Sequence, residues 1–238
     1  MSNQMSNAPM MPAGSNSFFQ TWVPALTKPN EQTYAEIGGS PNAKASTAYL
    51  WVFLSSIVTS LITLIVQGAT LRERLALSGV GTDRLGNGFG SVAITLLCGT
   101  PLIALLGTVF FAIAVAIVQW IAKMFGGRGS NDQLAYVFAA IGVPYSLISS
   151  VFILLSAIPF VGFCFRIILG LAGLYILVLQ VMAIKGINQF GWGPAIGSLF
   201  IPGLVVGLLC CCVLAVLGAA LGPAIGNVFS TINQSLNP

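Results

Sequence analysis

The chain has 238 residues, of which 56% are hydrophobic and only 6% are charged, whereas about 25% of the residues of a soluble domain are charged. Nine Lys and Arg with five Asp and Glu cannot cover a water-soluble body of this size. We therefore expect an integral membrane protein and exclude soluble-enzyme folds. Histidine is absent, which excludes His-ligated metal or haem centres, Ser-His-Asp and Cys-His catalysis and imidazole proton relays.

The first 47 residues differ in character from everything after them. Residues 1–17 are rich in Met, Asn, Ser and Pro and carry no charge, which predicts a flexible polar tail. In residues 18–47 apolar side chains recur at helical spacing, and Phe18, Phe19 and Trp22 form the strongest part of this pattern. We therefore predict an amphipathic segment at the membrane surface and expect these three side chains to contact the bilayer or a partner protein.

Two prolines divide this surface segment. We expect Pro24 to interrupt the first amphipathic stretch, because proline lacks the N–H that a helix interior requires. Pro29 suits the first position of a second short helix, which we expect to stop at Gly38-Gly39. The segment is therefore predicted to be a jointed platform of short helices.

Five long apolar stretches follow, each near or above the roughly 20 residues that a helix needs to cross a bilayer. They do not alternate with period two, which favours helices over a β-barrel, and Pro144 and Pro202 predict bent helices. The expected fold class is therefore an all-α integral membrane protein, with an irregular five-helix transmembrane bundle over residues 48–222. The spans are predicted at about Ala48–Gln67, Pro101–Ala122, Leu134–Ala157, Ile167–Lys185 and Ile196–Leu221.

The last predicted span carries two pairs of the form Gly-x-x-x-Gly. Gly203 with Gly207, and Gly218 with Gly222, lie about three helical turns apart, so both pairs share one face. Such a face lets another helix approach closely, either inside the bundle or from another polypeptide. Beyond it, an apolar stripe in residues 223–238 predicts a C-terminal interfacial amphipathic helix.

Three runs of sequence carry a resemblance to a known family: ALTKPNEQTYAEI in the tail, LAYVFAAIGVPYSLI in the third span, and VMAIKGINQFGWGPAIGSLF between the fourth and fifth spans. Over roughly Trp22 to Leu221 the chain resembles the Yip1 domain family of five-span membrane proteins. In eukaryotes the resemblance implies an early-secretory-pathway protein that associates with Rab GTPases and with other family members. The acidic Asp-Leu-x-Gly-Pro segment expected before the first span is replaced by KASTAYLW, which argues against Rab binding and favours a prokaryotic relative.

The predicted spans carry little that could support chemistry. All five acidic residues lie in the tail or in predicted loops, whereas ion-coupled transport uses carboxylates within spans. Gln67, Gln119 and Gln180 lie near predicted span ends, where they either lie at the interface or bond across helices, or else line a polar path. The cysteine run Cys210-Cys211-Cys212 points in different directions on a helix and cannot converge on one ion. We therefore predict neither a catalytic nor a metal site.

Three functions fit these features. The first is a non-enzymatic membrane scaffold or accessory subunit that organises lipid or other membrane proteins in a hetero-oligomeric complex and requires no cofactor. The second is a channel or uncoupled carrier, which broken helices favour and an odd number of spans disfavours. The third is a binder of an apolar lipid, quinone or carotenoid, held by packing alone. We favour the first because it accounts for the missing chemistry, and we expect no nucleic-acid partner because the net charge of +4 is dispersed.

Five spans place the two chain ends on opposite sides of the membrane. The N-terminal side would hold Lys28, Lys44, Lys123, Arg128 and Lys185, and the other side Arg72, Arg74, Arg84 and Arg166. Because Lys44 and Lys123 lie close to span ends, the positive-inside rule predicts a cytoplasmic N-terminus and a C-terminus on the opposite side. The membrane we expect is a bacterial cytoplasmic membrane.

Overall fold

The computed structural model describes residues 18–77, 98–156 and 161–236, with side chains throughout except at 67–77, 161, 209, 214 and 217–236. The predicted polar tail, residues 1–17, lies outside the described residues. Within them the chain forms seven α-helices and no strand. The helices are α1 (Phe18–Thr27), α2 (Glu31–Gly38), α3 (Ala45–Leu77), α4 (Thr100–Met124), α5 (Asn131–Leu155), α6 (Val161–Asn188) and α7 (Trp192–Leu236).

Helices α3 to α7 are each long and apolar enough to cross a membrane. The prediction of an all-helical fold with five long apolar helices is therefore confirmed. The helices extend past several predicted ends, as in α3, which continues through Arg72 and Arg74, because Leu, Arg and Glu are good helix formers outside the apolar region. The candidate spans are Ala45–Val66, Thr100–Met124, Asn131–Leu155, Gly162–Asn188 and Trp192–Val213.

Local sequence signals set where several helices begin. The hydroxyl of Ser130 accepts a hydrogen bond from the Gln133 backbone N–H, and the Gln133 side chain accepts one from the Ser130 N–H, so this reciprocal pair caps α5. The side chain of Asn30, whose backbone is extended, caps α2. For this reason α2 begins at Glu31, and the predicted start at Pro29 was early. Pro101 lies in the first turn of α4, where its missing N–H costs no helical bond.

Helix α5 forms the centre of the bundle. Every residue of α5 from Leu134 to Ile141 is buried, and α3, α4 and α6 pack around it. Small side chains at Ala135, Ala139 and Ala140 allow this close packing. The starts of α3, α5 and α7 meet the ends of α4 and α6 at one end of the bundle. We call this the α2 end, because α2 packs there.

The N-terminal helices pack on the bundle. Thr21 and Ala25 of α1 and Tyr34 of α2 are buried, and both helices contact α5, while α2 also contacts α6. Pro24 lies inside α1 and does not interrupt it, so the predicted break at Pro24 was wrong. The packed face of α1 stabilises the helix in spite of the missing hydrogen bond, since tertiary packing supplies most of the stability of a short helix.

Helix α7 is continuous from Trp192 to Leu236. The segment that we expected as a separate C-terminal helix after Gly222-Pro223 is therefore, as far as Leu236, a continuation of α7. Pro202 is likewise contained within the helix. In an apolar environment a continuous helix keeps the backbone hydrogen bonds of the chain satisfied, which favours continuation through both prolines.

Candidate interaction surfaces

Aromatic side chains from α1, α3 and α5 form one cluster around Trp51. The centroid of the Trp51 ring lies 5.7 Å from that of Trp22 and 5.0 Å from that of Tyr136. The Phe18 ring is 5.6 Å from Trp51, and Phe19 joins the cluster through Trp22 at 6.2 Å. The Trp22 and Trp51 rings meet edge to face at 90°, a favourable geometry for aromatic pairs. The three side chains predicted to act together are thus brought together, and Trp51 is a partner that the sequence did not identify.

Two apolar grooves flank Trp22. The first has a volume of about 240 Å³ and is lined on α3 by Leu54, Ser55 and Val58. The second has a volume of about 280 Å³ and is lined on α5 by Pro144, Leu147 and Ile148. Both grooves are open at the outer surface of the bundle, so an elongated apolar molecule could lie in them beside α1.

Two tyrosines hold the carboxyl end of α1. The hydroxyl of Tyr34 donates a hydrogen bond to the Ala25 carbonyl oxygen at 2.9 Å, and that of Tyr175 donates to the Leu26 carbonyl oxygen at 2.8 Å. The last carbonyls of a helix have no partner within it, so these hydroxyls satisfy them. Burial, with a smaller contribution from the Tyr175 phenol, raises the pKa of Tyr34. The Tyr34 hydroxyl therefore stays protonated and remains a donor.

Glu31, Lys185 and Trp192 connect α2, α6 and α7. The Lys185 ammonium forms an ion pair with the Glu31 carboxylate and lies 4.4 Å from the centroid of the Trp192 ring. The Lys185 side chain is 16% exposed and the Glu31 side chain is 44% exposed. Because water screens the pair, it contributes at most about 1 kcal/mol to the free energy of unfolding. The backbones of α2 and α6 also approach closely here, because a Cβ at Gly186 would collide with the Glu31 carbonyl oxygen.

A buried amide pair closes the same end of the bundle. Nε2 of Gln119 donates to Oδ1 of Asn188 at 2.9 Å and to the Gly129 carbonyl oxygen at 2.7 Å. Oδ1 of Asn188 also accepts from the Gly129 N–H at 3.2 Å. Gln119 and Asn188 are 2% and 1% exposed, so each amide depends on the other for its hydrogen bonds. Of the two roles predicted for Gln119, bonding across helices is confirmed.

Among the side chains that the structure describes, those of α7 that pack on the bundle lie near its start. Ala195 and Ser198 are fully buried, and Gly197 faces the Phe125 ring at the end of α4. Among the side chains that the structure describes from Phe200 to Val216, all are exposed except the half-buried Pro202. Over Phe200 to Val216, the described side chains of α7 are therefore open rather than packed in the described bundle.

The predicted glycine face lies on this open part of α7. A Cβ placed at Gly203 or at Gly207 would meet no atom of the described residues within 4 Å. Within the described part of the chain this pair therefore has no packing partner, and both alternatives drawn from the sequence stay predictions. The surroundings of Gly218 and Gly222 lie outside what the structure describes, since only the backbone is described there.

The described residues contain no group of three or more His, Cys, Asp or Glu side chains that could hold a metal ion. The cysteines among them, which include Cys210, Cys211 and Cys212, are free and exposed. What these residues offer instead is two kinds of apolar surface: the aromatic cluster with its grooves, and the open face of α7.

These helices define a polytopic, all-helical integral membrane protein. The chain belongs to the Yip1 domain family, whose model matches residues 25–225, and the family resemblance seen in the sequence is thereby confirmed. The matched region begins within α1 and ends within α7. No curated protein and no solved structure matches the chain.

Proposed function

We propose that the protein is a non-enzymatic membrane scaffold or accessory subunit that holds other membrane proteins in a hetero-oligomeric complex. The open face of α7 carries this proposal. The part of a spanning helix that has no partner among the described residues is open to lipid or to another protein. Gly203 and Gly207 favour a protein helix, because small residues spaced four apart let two backbones approach closely.

The side chains beside the glycines fit the same role. Leu204 and Leu208 follow the two glycines and are 65% and 60% exposed, so they form a ridge along a shallow groove. Lipid tails are as apolar as leucine, which means that helix association in a membrane depends on close packing. A groove with a ridge beside it supplies such packing to a second helix.

Affinity purification from native membranes in mild detergent tests this function. Mass spectrometry would compare the wild-type protein with Gly207→Leu, in which the groove is filled, and with Val205→Leu, which enlarges a side chain on the other side of α7. We expect co-purified membrane proteins to be lost from Gly207→Leu alone. Equal recovery of the same proteins with all three chains would contradict the proposal.

A second candidate function is the binding of an apolar lipid, quinone or carotenoid. The two grooves beside Trp22 favour it, because their walls are apolar and they are open along the bundle surface. Extraction of the purified protein, followed by mass spectrometry of the extract, tests it. A stoichiometric quinone or pigment would support this function, and an extract with bulk membrane lipids alone would argue against it.

We propose a cytoplasmic membrane of a bacterium as the location, with the α2 end of the bundle in the cytoplasm. Lys123 and Arg128 lie at this end, in or beside the connection between α4 and α5, and Lys44 lies just before α3. These positions support the orientation, because positive charge close to span ends favours the cytoplasmic side.

A further inference from the structure

Helix α1 lies beside the centres of three candidate spans. Ser55, Val143 and Tyr175 are at or next to the midpoints of the spans of α3, α5 and α6. Ser55 and Val143 line the same groove as Phe18 of α1, and Tyr175 bonds the Leu26 carbonyl. Both ends of α1 therefore lie beside the midpoints of candidate spans.

The rise of α5 per residue gives the distance of Val143 from the α2 end of the bundle. Val143 lies about 12 residues after Asn131, which corresponds to about 18 Å along α5. The hydrocarbon core of a bilayer is about 30 Å thick. The groove beside the amino end of α1 therefore lies near the middle of the bilayer, whereas α2, with the ion pair of Glu31 and Lys185, lies at the end of the bundle.

Several carbonyls near the carboxyl end of α1 are satisfied by protein groups. The carbonyls of Pro24, Ala25 and Leu26 accept hydrogen bonds from one backbone N–H and two tyrosine hydroxyls. The Thr27 hydroxyl donates to the Val23 carbonyl at 2.7 Å. At a membrane surface water would satisfy such groups, whereas within the bilayer the protein must do so.

The outer face of α1 is continuous with the lipid-facing surface of the bundle. Phe18, Phe19 and Val23 are 55%, 70% and 53% exposed. Leu54 on α3 and Ile148 on α5, which line the adjacent grooves, are 52% and 51% exposed. Spanning helices turn such side chains toward acyl chains, and α1, which carries no charge, extends the same surface.

We propose that α1 lies across α3, α5 and α6 within the hydrocarbon core, near the middle of the bilayer, and presents Phe18, Phe19 and Val23 to lipid acyl chains. In this position the two grooves beside Trp22 lie at a depth that headgroups do not reach. This position replaces the membrane-surface position that amphipathicity alone predicts, and it is independent of the role of α7.

Spin-label depth measurements test this position in the full chain. Single cysteines at Phe19, Ile113 or Met124 are introduced into a variant without the five native cysteines and labelled in vesicles of phosphatidylcholine and phosphatidylglycerol. Ile113 is 49% exposed and next to the midpoint of the α4 span, so it is the deep reference. Met124, 70% exposed at the end of α4, is the interface reference.

The measured quantity is the ratio of spin-label collisions with oxygen to collisions with a water-soluble nickel chelate, which rises with depth in the bilayer. We expect the ratio at Phe19 to be closer to the ratio at Ile113 than to the ratio at Met124. A ratio closer to that at Met124 would overturn the proposal. If the cysteine-free variant does not fold, p-benzoylphenylalanine in place of Phe19 or Ile113 in the native chain gives a second readout. On illumination we expect acyl-chain adducts at both positions, and adducts at Ile113 alone would overturn the proposal.

Discussion

Tyr175, at the middle of the α6 span, donates its hydroxyl to the main-chain carbonyl of Leu26 at 2.8 Å. This bond joins the last turn of the first helix to the central part of a spanning helix. Tyr34 makes the equivalent bond to Ala25 at 2.9 Å. Two hydroxyls at one end and the aromatic cluster around Trp51 at the other therefore hold α1 against the bundle.

Loss of the Tyr175 hydroxyl should loosen α1. In Tyr175→Phe the Leu26 carbonyl loses its donor, which we expect to cost about 1–3 kcal/mol of local stability. Hydrogen–deuterium exchange of the α1 amides should rise accordingly. Tyr145→Phe is the matched control, because the hydrogen bond described for the Tyr145 hydroxyl goes to the Leu169 carbonyl on α6, at 3.4 Å, and not to α1. Equal exchange of α1 in wild type and Tyr175→Phe would contradict the prediction.

Loss of the aromatic side chains should release α1 altogether. With Phe18, Phe19 and Trp22 all changed to Ser, the cluster around Trp51 is lost, so we expect protease to cleave near α1 while the spans stay folded. Limited proteolysis with mass spectrometry measures the cleavage, and thermal melting checks the spans. Val23→Ser is the control, since Val23 is exposed on the same helix. Protease sensitivity that is unchanged in the triple variant would count against a docking role for these residues.

The number and kind of spanning elements could be predicted from the sequence, whereas the depth of α1 could not. A long apolar run has few solutions in lipid, and a helix satisfies its backbone whatever its neighbours are. An amphipathic pattern shows that α1 has two faces. It does not show whether the outer face meets headgroups or acyl chains, because Phe19 and Val23 suit either environment.

The polar contacts could also be predicted from the sequence only in part. Gln119 could be recognised as a group that bonds across helices, because an amide at a span end needs partners. Its partner Asn188 is 69 residues away in sequence and lies in the last turn of α6, where a polar residue is ordinary. Tyr34 and Tyr175 were missed for a similar reason, since tyrosines are common both in cores and at membrane interfaces.

The backbone around the buried amide pair leaves no room for a larger residue. A Cβ at Gly127 would lie 2.5 Å from Oδ1 of Asn188 and 2.8 Å from the Ala122 carbonyl oxygen. We expect Gly127→Ala to destabilise the bundle by about 1–3 kcal/mol, measured by thermal unfolding in detergent. Gly193→Ala is the control, because a Cβ there meets nothing within 4 Å. Equal stability of the two variants would show that this loop adapts freely.

The predicted orientation can be measured in intact cells. A cysteine-free chain with either Ser6→Cys or Ser235→Cys is treated with an impermeant maleimide. If the N-terminus is cytoplasmic and the C-terminus lies on the opposite side, only Ser235→Cys is labelled. Labelling of Ser6→Cys alone would reverse the orientation and would place Lys44 and Lys123 outside, against the positive-inside rule.

The docking of α2 on the bundle, which also holds α1 through the Tyr34 hydroxyl, is tested most directly by a disulfide between α2 and α5. A Cβ at Gly38 would lie 3.5 Å from the Cβ of Gln133, within the range that a disulfide requires. We expect Gly38→Cys with Gln133→Cys, in a cysteine-free chain oxidised in its membrane, to form an intramolecular disulfide that blocks both thiols from maleimide. Gly39→Cys with Gln133→Cys is the control and should stay reactive. Equal reactivity of the two pairs would contradict the docked arrangement.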